Sequence, residues 1–316
     1  MPVSNPSPTP PAKPPASGLA VGLALALLGS IAFSAKAIIV KLAYRHGVDA
    51  VTLIMYRMLF ALPIFAAMAW WASRGKPPLS RKDVWGVLGL GVTGYYLASF
   101  LDFAGLAYIT ASLERLILYL NPTLVVLLGW ALYGKRVHWG QAVGMLISYC
   151  GVVLVFGLEA HSQGGQGGQA AWGALLVFLS AVSYAVYLVF SGEMVQRIGA
   201  LRLVGLATTV ACICCLAQFV VLRPLSAAIV APQVLWLSVL NATLCTAAPV
   251  LMVMMAIERI GAGMAAQAGM VGPLSTIFMG IWILGEPFTL WLAVGTCLVV
   301  AGIFVFTRLA RKAAAG

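Results

Sequence analysis

Apolar runs follow one another along almost the whole chain, and this pattern constrains the fold more than any other feature. Each run has the length of a membrane span, since a helix needs roughly 20 apolar residues to cross a hydrocarbon core of roughly 30 Å. Of the 316 residues, 62% are hydrophobic and only 9% are charged, whereas soluble domains carry about 25% charged residues. A backbone in lipid must satisfy its own hydrogen bonds, and the alternating segments of membrane barrels are absent. The sequence therefore predicts an all-α membrane protein.

Ten spans can be placed in the sequence, with boundaries good to a few residues. They lie near residues 18–42, 50–72, 84–106, 111–133, 139–158, 172–194, 202–222, 233–256, 261–284 and 288–308. The Pro- and Ser-rich segment 1–17 is predicted to be a disordered cytoplasmic tail, and 309–316 a basic cytoplasmic tail. The Gly- and Gln-rich segment 159–171 is predicted to be a flexible linker loop. It separates a first unit of five spans, 18–158, from a second unit, 172–308.

Lysine and arginine residues outside the spans predict the orientation of the chain. With the N-terminus inside the cell, the cytoplasmic segments carry 13 basic residues and the outer segments carry 3. Both termini are therefore predicted to lie in the cytoplasm. The protein itself is predicted to lie in a bacterial inner membrane. The net charge of +11 does not indicate nucleic-acid binding, because the basic residues lie singly and in pairs at the ends of apolar runs.

Patterns typical of enzymes and metal sites are missing from the sequence. Neither G-x-x-x-x-G-K-[ST] nor H-E-x-x-H occurs, and the three histidines lie in predicted loops. The six cysteines lie inside apolar runs. The cluster CICC at 212–215 has no histidine or carboxylate near it, which favours buried small side chains over a metal site. We therefore expect no enzymatic activity, no metal and no cofactor.

An internal repeat divides the chain into two similar halves. NPTLVVLLGWALYGKRVHWGQAVGMLISYCGVVLVF at 121–156 aligns without gaps with GPLSTIFMGIWILGEPFTLWLAVGTCLVVAGIFVFT at 272–307, at an offset of 151 residues. The matched pairs are Pro122 and Pro273, Gly129 and Gly280, Gly134 and Gly285, Gly144 and Gly295, and Gly151 and Gly302. Because each half contains an odd number of spans, the two copies cross the membrane in opposite directions. The predicted architecture is ten transmembrane helices as two inverted five-helix repeats, a design of secondary transporters that hold substrate between the halves.

The repeated segments resemble the two EamA repeats of the drug/metabolite transporter superfamily. The stretches YLNPTLVVLLGWALYGKRV and GPLSTIFMGIWILGEPF carry this resemblance. So does AIIVKLAYRHGVDAVTLIMYRMLFAL at 37–62, whose Lys41 and Arg57 lie where that family usually has basic residues. The resemblance covers nearly the whole chain after the tail. It implies a carrier of amino acids, other metabolites or drugs, with a cavity lined by spans 1, 3, 4, 6, 8 and 9. One departure is Lys135 in the first repeat, where the second repeat has Glu286, the residue usual in the family.

Charged residues within the predicted spans form one layer in the outer half of the membrane. They are Lys36, Arg57, Asp102, Glu114 and Arg115. A charge exposed at the centre of a membrane helix costs roughly 2.5–3.5 kcal/mol, so these side chains must face protein or water. Mutual pairing is expected and leaves one positive charge over. For Asp102 and Glu114 both a structural ion-pair cluster and a site for substrate or protons remain open, whereas for Arg57 the structural role is favoured. Neighbouring helix residues point about 100° apart, so Glu114 and Arg115 are not expected to pair face to face.

Polar residues recur on one face of several spans, at i, i+4 and i+7 spacing. A cavity lined this way suits an amphipathic solute, with tyrosine rings for apolar or cationic parts and hydroxyls for polar ends. Ordinary hydrogen bonds between helices are the alternative explanation for any single residue. The candidate substrate-binding residues are Ser34, Tyr95, Ser99, Glu114, Arg115, Tyr119, Asn121, Tyr184, Tyr187, Asn241 and Gln267.

Prolines at matching positions of the two halves predict interrupted helices. Pro122 and Pro273 remove the hydrogen bonds to the carbonyls of Leu118 and Gly269, and transporters often bind solutes at such interruptions. A kink needed only for packing is the alternative. The candidate residues for proton coupling or gating are Lys36, Lys41, Asp102, Glu114, Pro122 and Pro273.

Spans 5 and 10 have few polar residues and carry glycines seven residues apart. The glycines, Gly144 and Gly151 in one span and Gly295 and Gly302 in the other, mark smooth faces for close helix contact. These two spans are predicted to serve packing or to form a homodimer.

Together these features predict a secondary transporter of a small polar or amphipathic metabolite. An amino acid or related carboxylate is favoured, because the charged layer has a surplus positive charge. An exporter of cationic or aromatic drug-like solutes is the alternative within this class. A membrane-embedded lipid-modifying enzyme and a non-transporting sensor are alternatives from other classes, although the sequence lacks the acid–base–metal cluster of the first and the soluble domain of the second. The expected partners are a small-molecule substrate and the lipid bilayer.

Overall fold

The computed structural model of the chain describes residues 16–134, 137–162, 167–269 and 271–315, and these form helices without strands. Within these described residues, nine helical segments are long and apolar enough to cross a membrane, and a tenth apolar segment is shorter. Spans 1 to 10 are Leu19–Tyr44, Ala50–Ser73, Arg81–Leu106, Ala111–Tyr133, Trp139–His161, Gly168–Ile198, Ala200–Leu222, Pro232–Gly261, Val271–Leu284 and Leu290–Arg308. Each predicted span corresponds to one of these segments.

Side-chain caps fix where two of the spans begin. The Asp49 carboxylate accepts hydrogen bonds from the backbone N–H groups of Val51 and Thr52, which satisfies the first turn of span 2. Ser80 and Asp83 form a capping box at the start of span 3. These caps set the register of two helices that carry cavity residues.

Four spans depart from regular α-helix in their middle or near one end. Span 3 contains a π-helical turn at Gly91–Leu97, and span 8 contains one at Thr243–Ala247. The repeat offset of 151 residues maps the first turn onto residues 242–248, and the second turn lies within this range. The two repeats therefore share this departure from regular helix. Span 4 consists of two helices, Ala111–Leu118 and Asn121–Tyr133, and span 9 ends in a π-helical turn at Gly280–Leu284.

The helices of the two repeats interleave, as expected for two copies related by an approximate two-fold axis. Span 1 packs on span 8, and span 6 packs on span 3. These two contacts are equivalent, because span 6 corresponds to span 1 and span 8 corresponds to span 3. Spans 2 and 7, 4 and 9, and 5 and 10 occupy equivalent places in the two repeats and pack on one another. The chain therefore forms ten transmembrane helices as two inverted five-helix repeats.

Glycine faces bring spans 5 and 10 into close contact within the chain. A Cβ atom on Gly144 would lie 2.7 Å from the Gly302 carbonyl oxygen, and one on Gly151 would lie 2.7 Å from the Gly295 carbonyl oxygen. The glycines therefore serve packing between the repeats. A homodimer through spans 5 and 10 stays a prediction, and it would have to use other faces of these helices.

Helices extend further into the linker and the C-terminal tail than the sequence predicted. The helix of span 5 continues to Ser162, and the helix of span 6 begins at Gly167, so most of 159–171 is helical instead of a flexible loop. The helix of span 10 continues to Ala315. Residues 1–15 of the predicted N-terminal tail lie outside the described residues.

Candidate functional site

A cavity of about 350 Å³ lies where the two repeats meet. This volume is within the range of small-molecule sites, which starts at about 300 Å³. Residues from spans 1, 2, 3, 4, 6 and 8 line it, together with Gly269 before span 9 and the first turn of span 9. The lining consists of Ser30, Phe33, Ser34, Lys36, Arg57, Phe65, Gly94, Tyr95, Ala98, Ser99, Asp102, Arg115, Leu118, Tyr119, Asn121, Ser180, Tyr184, Thr246, Val250, Gly269, Gly272 and Pro273.

Much of this lining comes in pairs separated by the repeat offset of 151 residues. The pairs are Phe33 and Tyr184, Tyr95 and Thr246, Ser99 and Val250, Leu118 and Gly269, and Asn121 and Gly272. Equivalent positions of the two repeats therefore face one shared space. A cavity at the symmetry axis of inverted repeats is where secondary transporters hold their solute.

Four of the five charges in the predicted layer form one ion-pair cluster. The Lys36 Nζ lies 2.5 Å from the Asp102 Oδ2 and 3.8 Å from the Glu114 Oε1. The Arg115 Nε lies 3.8 Å from the Glu114 Oε2. All four side chains are buried, and two positive charges balance two negative charges. Such pairing is needed because an unpaired buried charge is strongly destabilising.

The contact between Glu114 and Arg115 corrects the expectation that these neighbours do not pair. Their Cβ atoms point in different directions, but both side chains are long and reach around the helix. The Arg115 Nε also donates a hydrogen bond of 3.0 Å to the Thr276 hydroxyl of span 9. The first helix of span 4 ends three residues later, at Leu118, so Arg115 lies close to the interruption.

Arg57 is the fifth charge, and it stands apart from the ion-pair cluster. No carboxylate lies within 4.0 Å of its guanidinium in the described part of the chain, which includes every Asp and Glu. Its Nε donates to the Thr246 hydroxyl at 3.2 Å, and its Cζ lies 5.2 Å from the centre of the Phe103 ring. The surplus positive charge expected from the sequence is therefore carried by Arg57, which lines the cavity.

Tyrosine side chains form another part of the cavity wall. The Tyr95 and Tyr187 hydroxyls lie 3.2 Å apart, and their rings meet edge to face with centres 5.1 Å apart. The Tyr184 ring stacks on Tyr187 at 5.5 Å. Tyr95 and Tyr184 line the cavity, whereas Tyr187 lies behind them and holds both rings in place. This wall offers aromatic faces to a solute.

Pro273 lies on the cavity wall, and the structure shows what satisfies the carbonyl that it frees. The Ser30 hydroxyl donates a hydrogen bond of 2.8 Å to the Gly269 carbonyl oxygen, linking span 1 to the interrupted helix. Pro122 occupies the first turn of the second helix of span 4, where a missing N–H costs nothing. Pro122 itself does not line the cavity, but its neighbours Asn121 and Tyr119 do.

Besides Pro122, four predicted residues lie outside the cavity wall. Glu114 is fully buried behind it and contacts Lys36 and Arg115. Asn241 is buried in span 8, where its backbone carbonyl accepts a bond from the Thr246 hydroxyl. Lys41 donates to the carbonyls at the end of span 3. The fourth is Tyr187, and the side chain of Gln267 lies outside the described residues.

Two glutamates close the start of span 4 at the predicted outer end of the bundle. Glu286 of the second repeat accepts hydrogen bonds from the backbone N–H groups of Ala111 and Ser112 and from the Ser112 hydroxyl. Glu159 accepts from the backbone N–H and the hydroxyl of Thr110. Carboxylates are favourable at a helix N-terminus, whose N–H groups have no partner in the helix. Glu286, which lies between spans 9 and 10, thereby joins the second repeat to the start of span 4 in the first repeat, a contact that we call the outer latch.

Several contributors to this site were not among the residues selected from the sequence. Phe33 and Thr246 lie on the cavity wall, and each is 151 residues from a tyrosine that was selected, so the repeat offset could have identified them. Glu286 was noted only as part of a family motif. Its hydrogen-bond partners lie in the other repeat, and no local pattern reveals them.

Comparisons with known proteins agree with this architecture. A model of the EamA-like transporter family matches residues 20–157 and 171–308. Uncharacterized transporter YcbK of Bacillus subtilis (strain 168) is 30% identical over 268 residues, which cover 82% of this chain and 84% of that protein. Uncharacterized transporter YetK of the same organism is 26% identical and covers 79% of this chain. A solved structure described as "Crystal structure of protein" has a TM-score of 0.58 and 20% identity over 94% of this chain, which supports the fold.

Ten membrane helices in two inverted repeats around a shared cavity define the class of multi-pass membrane transporters. The chain belongs to the EamA-like transporter family.

Proposed function

We propose that the protein is a secondary transporter that carries a small polar or amphipathic metabolite across the inner membrane by alternating access. The observation that carries this proposal is the cavity of about 350 Å³ whose wall pairs residues from equivalent positions of the two repeats. Rocking of one repeat against the other would expose this cavity to each side in turn. Both termini would lie in the cytoplasm.

An amino acid or related carboxylate is the favoured solute. Every charged group on the cavity wall comes from the first repeat, and together with Glu114 these groups sum to one positive charge. The remaining wall combines hydroxyl and amide groups with aromatic and aliphatic side chains, as suits a solute with a charged end and an apolar end. A cationic solute would meet repulsion from this net charge. The tyrosine wall keeps cationic or aromatic drug-like solutes as the second candidate, since ring faces attract cations.

A thermal-shift screen followed by counterflow tests the proposed function. Purified protein is heated with metabolite pools, because a ligand that binds only the folded state raises the melting temperature. Each hit is then offered as a labelled solute to proteoliposomes preloaded with the same unlabelled solute. We expect uptake above that of protein-free liposomes. Hits that bind but show no counterflow would contradict a carrier.

Asp102 and Glu114 are the proposed proton carriers, since both are buried carboxylates next to the cavity. We expect Glu114→Gln and Asp102→Asn to change the pH dependence of uptake in proteoliposomes. Unchanged pH profiles in both variants would contradict proton coupling through these two residues.

A further inference from the structure

We propose that Arg57 binds the negatively charged group of the solute, a carboxylate, and thereby determines the charge specificity of the carrier. This inference rests on the proposed function and names the residue that binds the charged group of the solute. Its basis is that Arg57 is a buried cation on the cavity wall, and no carboxylate in the described part of the chain lies within 4.0 Å of its guanidinium.

Arg57 is 5% exposed, and its guanidinium is only partly satisfied. Its Nη1 has no hydrogen-bond partner among the described residues. The guanidinium contacts the Thr246 hydroxyl and the Phe103 ring, and both of these groups are neutral. A buried charge normally has a paired partner, because desolvation of a lone ion is costly. A guanidinium has five N–H donors in a planar fork that matches a carboxylate.

The other charges around the cavity do not balance the positive charge of Arg57. Lys36 and Arg115 are neutralised by Asp102 and Glu114. In the second repeat, the positions 151 residues after the five charged ones are Tyr187, Thr208, Val253, Ala265 and Ala266, all uncharged. No charge from the second repeat therefore compensates Arg57, and one bound carboxylate would make the site neutral.

The same arrangement gives the bound solute a direction. Arg57 lies seven residues from the start of span 2, about 10 Å from the predicted outer end at 1.5 Å per residue. Tyr184 lies 16 residues into span 6, which starts from the same side. The carboxylate would thus point towards the outer end, and the apolar part of the solute would lie deeper, against Tyr184 and Tyr95.

A comparison of melting temperatures separates this role from a structural one. Without solute, Arg57→Gln removes an uncompensated buried charge, so we expect an unchanged or higher melting temperature. Arg115→Gln removes a partner of Glu114 and should lower it. Arg259→Gln is the matched control, since Arg259 is exposed and its side chain donates to the Met255 carbonyl of its own helix, with no carboxylate within 4.0 Å among the described residues. A fall for Arg57→Gln as large as that for Arg115→Gln would overturn the inference.

Binding of carboxylates and their amides tests the charge specificity directly. The probes are 3-phenylpropanoate with 3-phenylpropanamide and leucine with leucinamide, titrated by calorimetry into the purified full-length protein. We expect the wild type to bind a carboxylate at least about tenfold more tightly than its amide, because charge-assisted hydrogen bonds are roughly twice as strong as neutral ones. Arg57→Gln should lose this preference, and Arg57→Lys should keep part of it.

Two results would overturn the inference: a wild type that prefers no carboxylate, or an Arg57→Gln variant that keeps the full preference. Neither result affects the proposed function if counterflow of another solute is measured. Absence of counterflow for every solute that stabilises the protein would instead contradict the carrier itself.

Discussion

Single residues in the cavity wall differ in whether the protein itself balances their charge. The Lys36–Asp102 contact of 2.5 Å joins spans 1 and 3, and Glu114 and Arg115 complete a neutral group. Breaking one member of such a buried pair costs about 3–5 kcal/mol, whereas replacing both members with apolar side chains is often neutral. This difference makes the cluster testable without knowledge of the solute.

We expect Asp102→Asn to destabilise the protein by about 3–5 kcal/mol, because Lys36 and Arg115 would then share the single carboxylate of Glu114 and one buried positive charge would be left unbalanced. The double variant Lys36→Met with Asp102→Leu should lose much less, since Glu114 and Arg115 remain as a neutral pair. Melting temperatures of the purified variants measure both effects. Equal losses in the single and double variants would show that the pair is not a coupled unit.

The charged layer and about half of the residues of the cavity wall could be predicted from the sequence. A charge inside an apolar run must be buried in protein, so its presence alone indicates an internal site. The partner of each charge could not be predicted. Whether Arg57 joins the cluster depends on how spans 2, 3 and 8 pack, and a helical-wheel argument for one span does not contain that information.

At the scale of elements, interrupted helices are held by hydrogen bonds from neighbouring spans. Pro273 frees the Gly269 carbonyl, and the Ser30 hydroxyl of span 1 satisfies it. The sequence predicted the freed carbonyl but not its donor, because the donor lies 239 residues away. An unsatisfied buried carbonyl costs about 1–3 kcal/mol, so the two residues should be energetically coupled.

We expect Ser30→Ala to lower stability by about 1–3 kcal/mol, because the Gly269 carbonyl then has no partner. Adding Pro273→Ala should restore much of the loss, since residue 273 regains an N–H that can reach this carbonyl. A double-mutant cycle of melting temperatures measures the coupling. Additive effects of the two changes would contradict this account of the interruption.

The contact between spans 5 and 10 gives a second test at this scale. Gly151→Ala should destabilise the protein by about 1–3 kcal/mol, because its Cβ would overlap the Gly295 carbonyl oxygen. Gly157→Ala is the matched control in the same helix, as nothing lies within 4 Å of the added Cβ. Equal melting temperatures for the two variants would mean that these spans do not pack through their glycines.

For the whole molecule, the repeat is the feature that the sequence predicted best. The proline and glycine pairs indicate two copies, and an odd number of spans in each makes them inverted. The closure of the predicted outer end could not be predicted, because Glu286 contacts Ala111 and Ser112, 174 or more residues away. Contacts of this kind depend on the assembled fold.

We expect Glu286→Gln to weaken the outer latch and to favour opening at that end. The amide has one oxygen where the carboxylate has two, so it cannot accept from both N–H groups in the same way. Hydrogen bonds to a charged group contribute about 1.5–3 kcal/mol. Loss of one such bond would raise the population of the open state about tenfold or more. Labelling of Ser99→Cys, in a background without the native cysteines, by a membrane-impermeant maleimide from outside measures this. Glu193→Gln, an exposed change, is the control. Equal labelling in both variants would contradict the role of the latch.

The most direct test of alternating access uses the same Ser99→Cys variant with Glu286 intact. Right-side-out and inverted vesicles are treated with the impermeant maleimide. Leu146→Cys is the control, because Leu146 lies on the outer surface of span 5, which faces lipid and not water. Because one cavity between inverted repeats should open to each side in turn, we predict labelling of Ser99→Cys in both kinds of vesicle and none of Leu146→Cys. Labelling from one side only, or from neither, would contradict a carrier that works in this way.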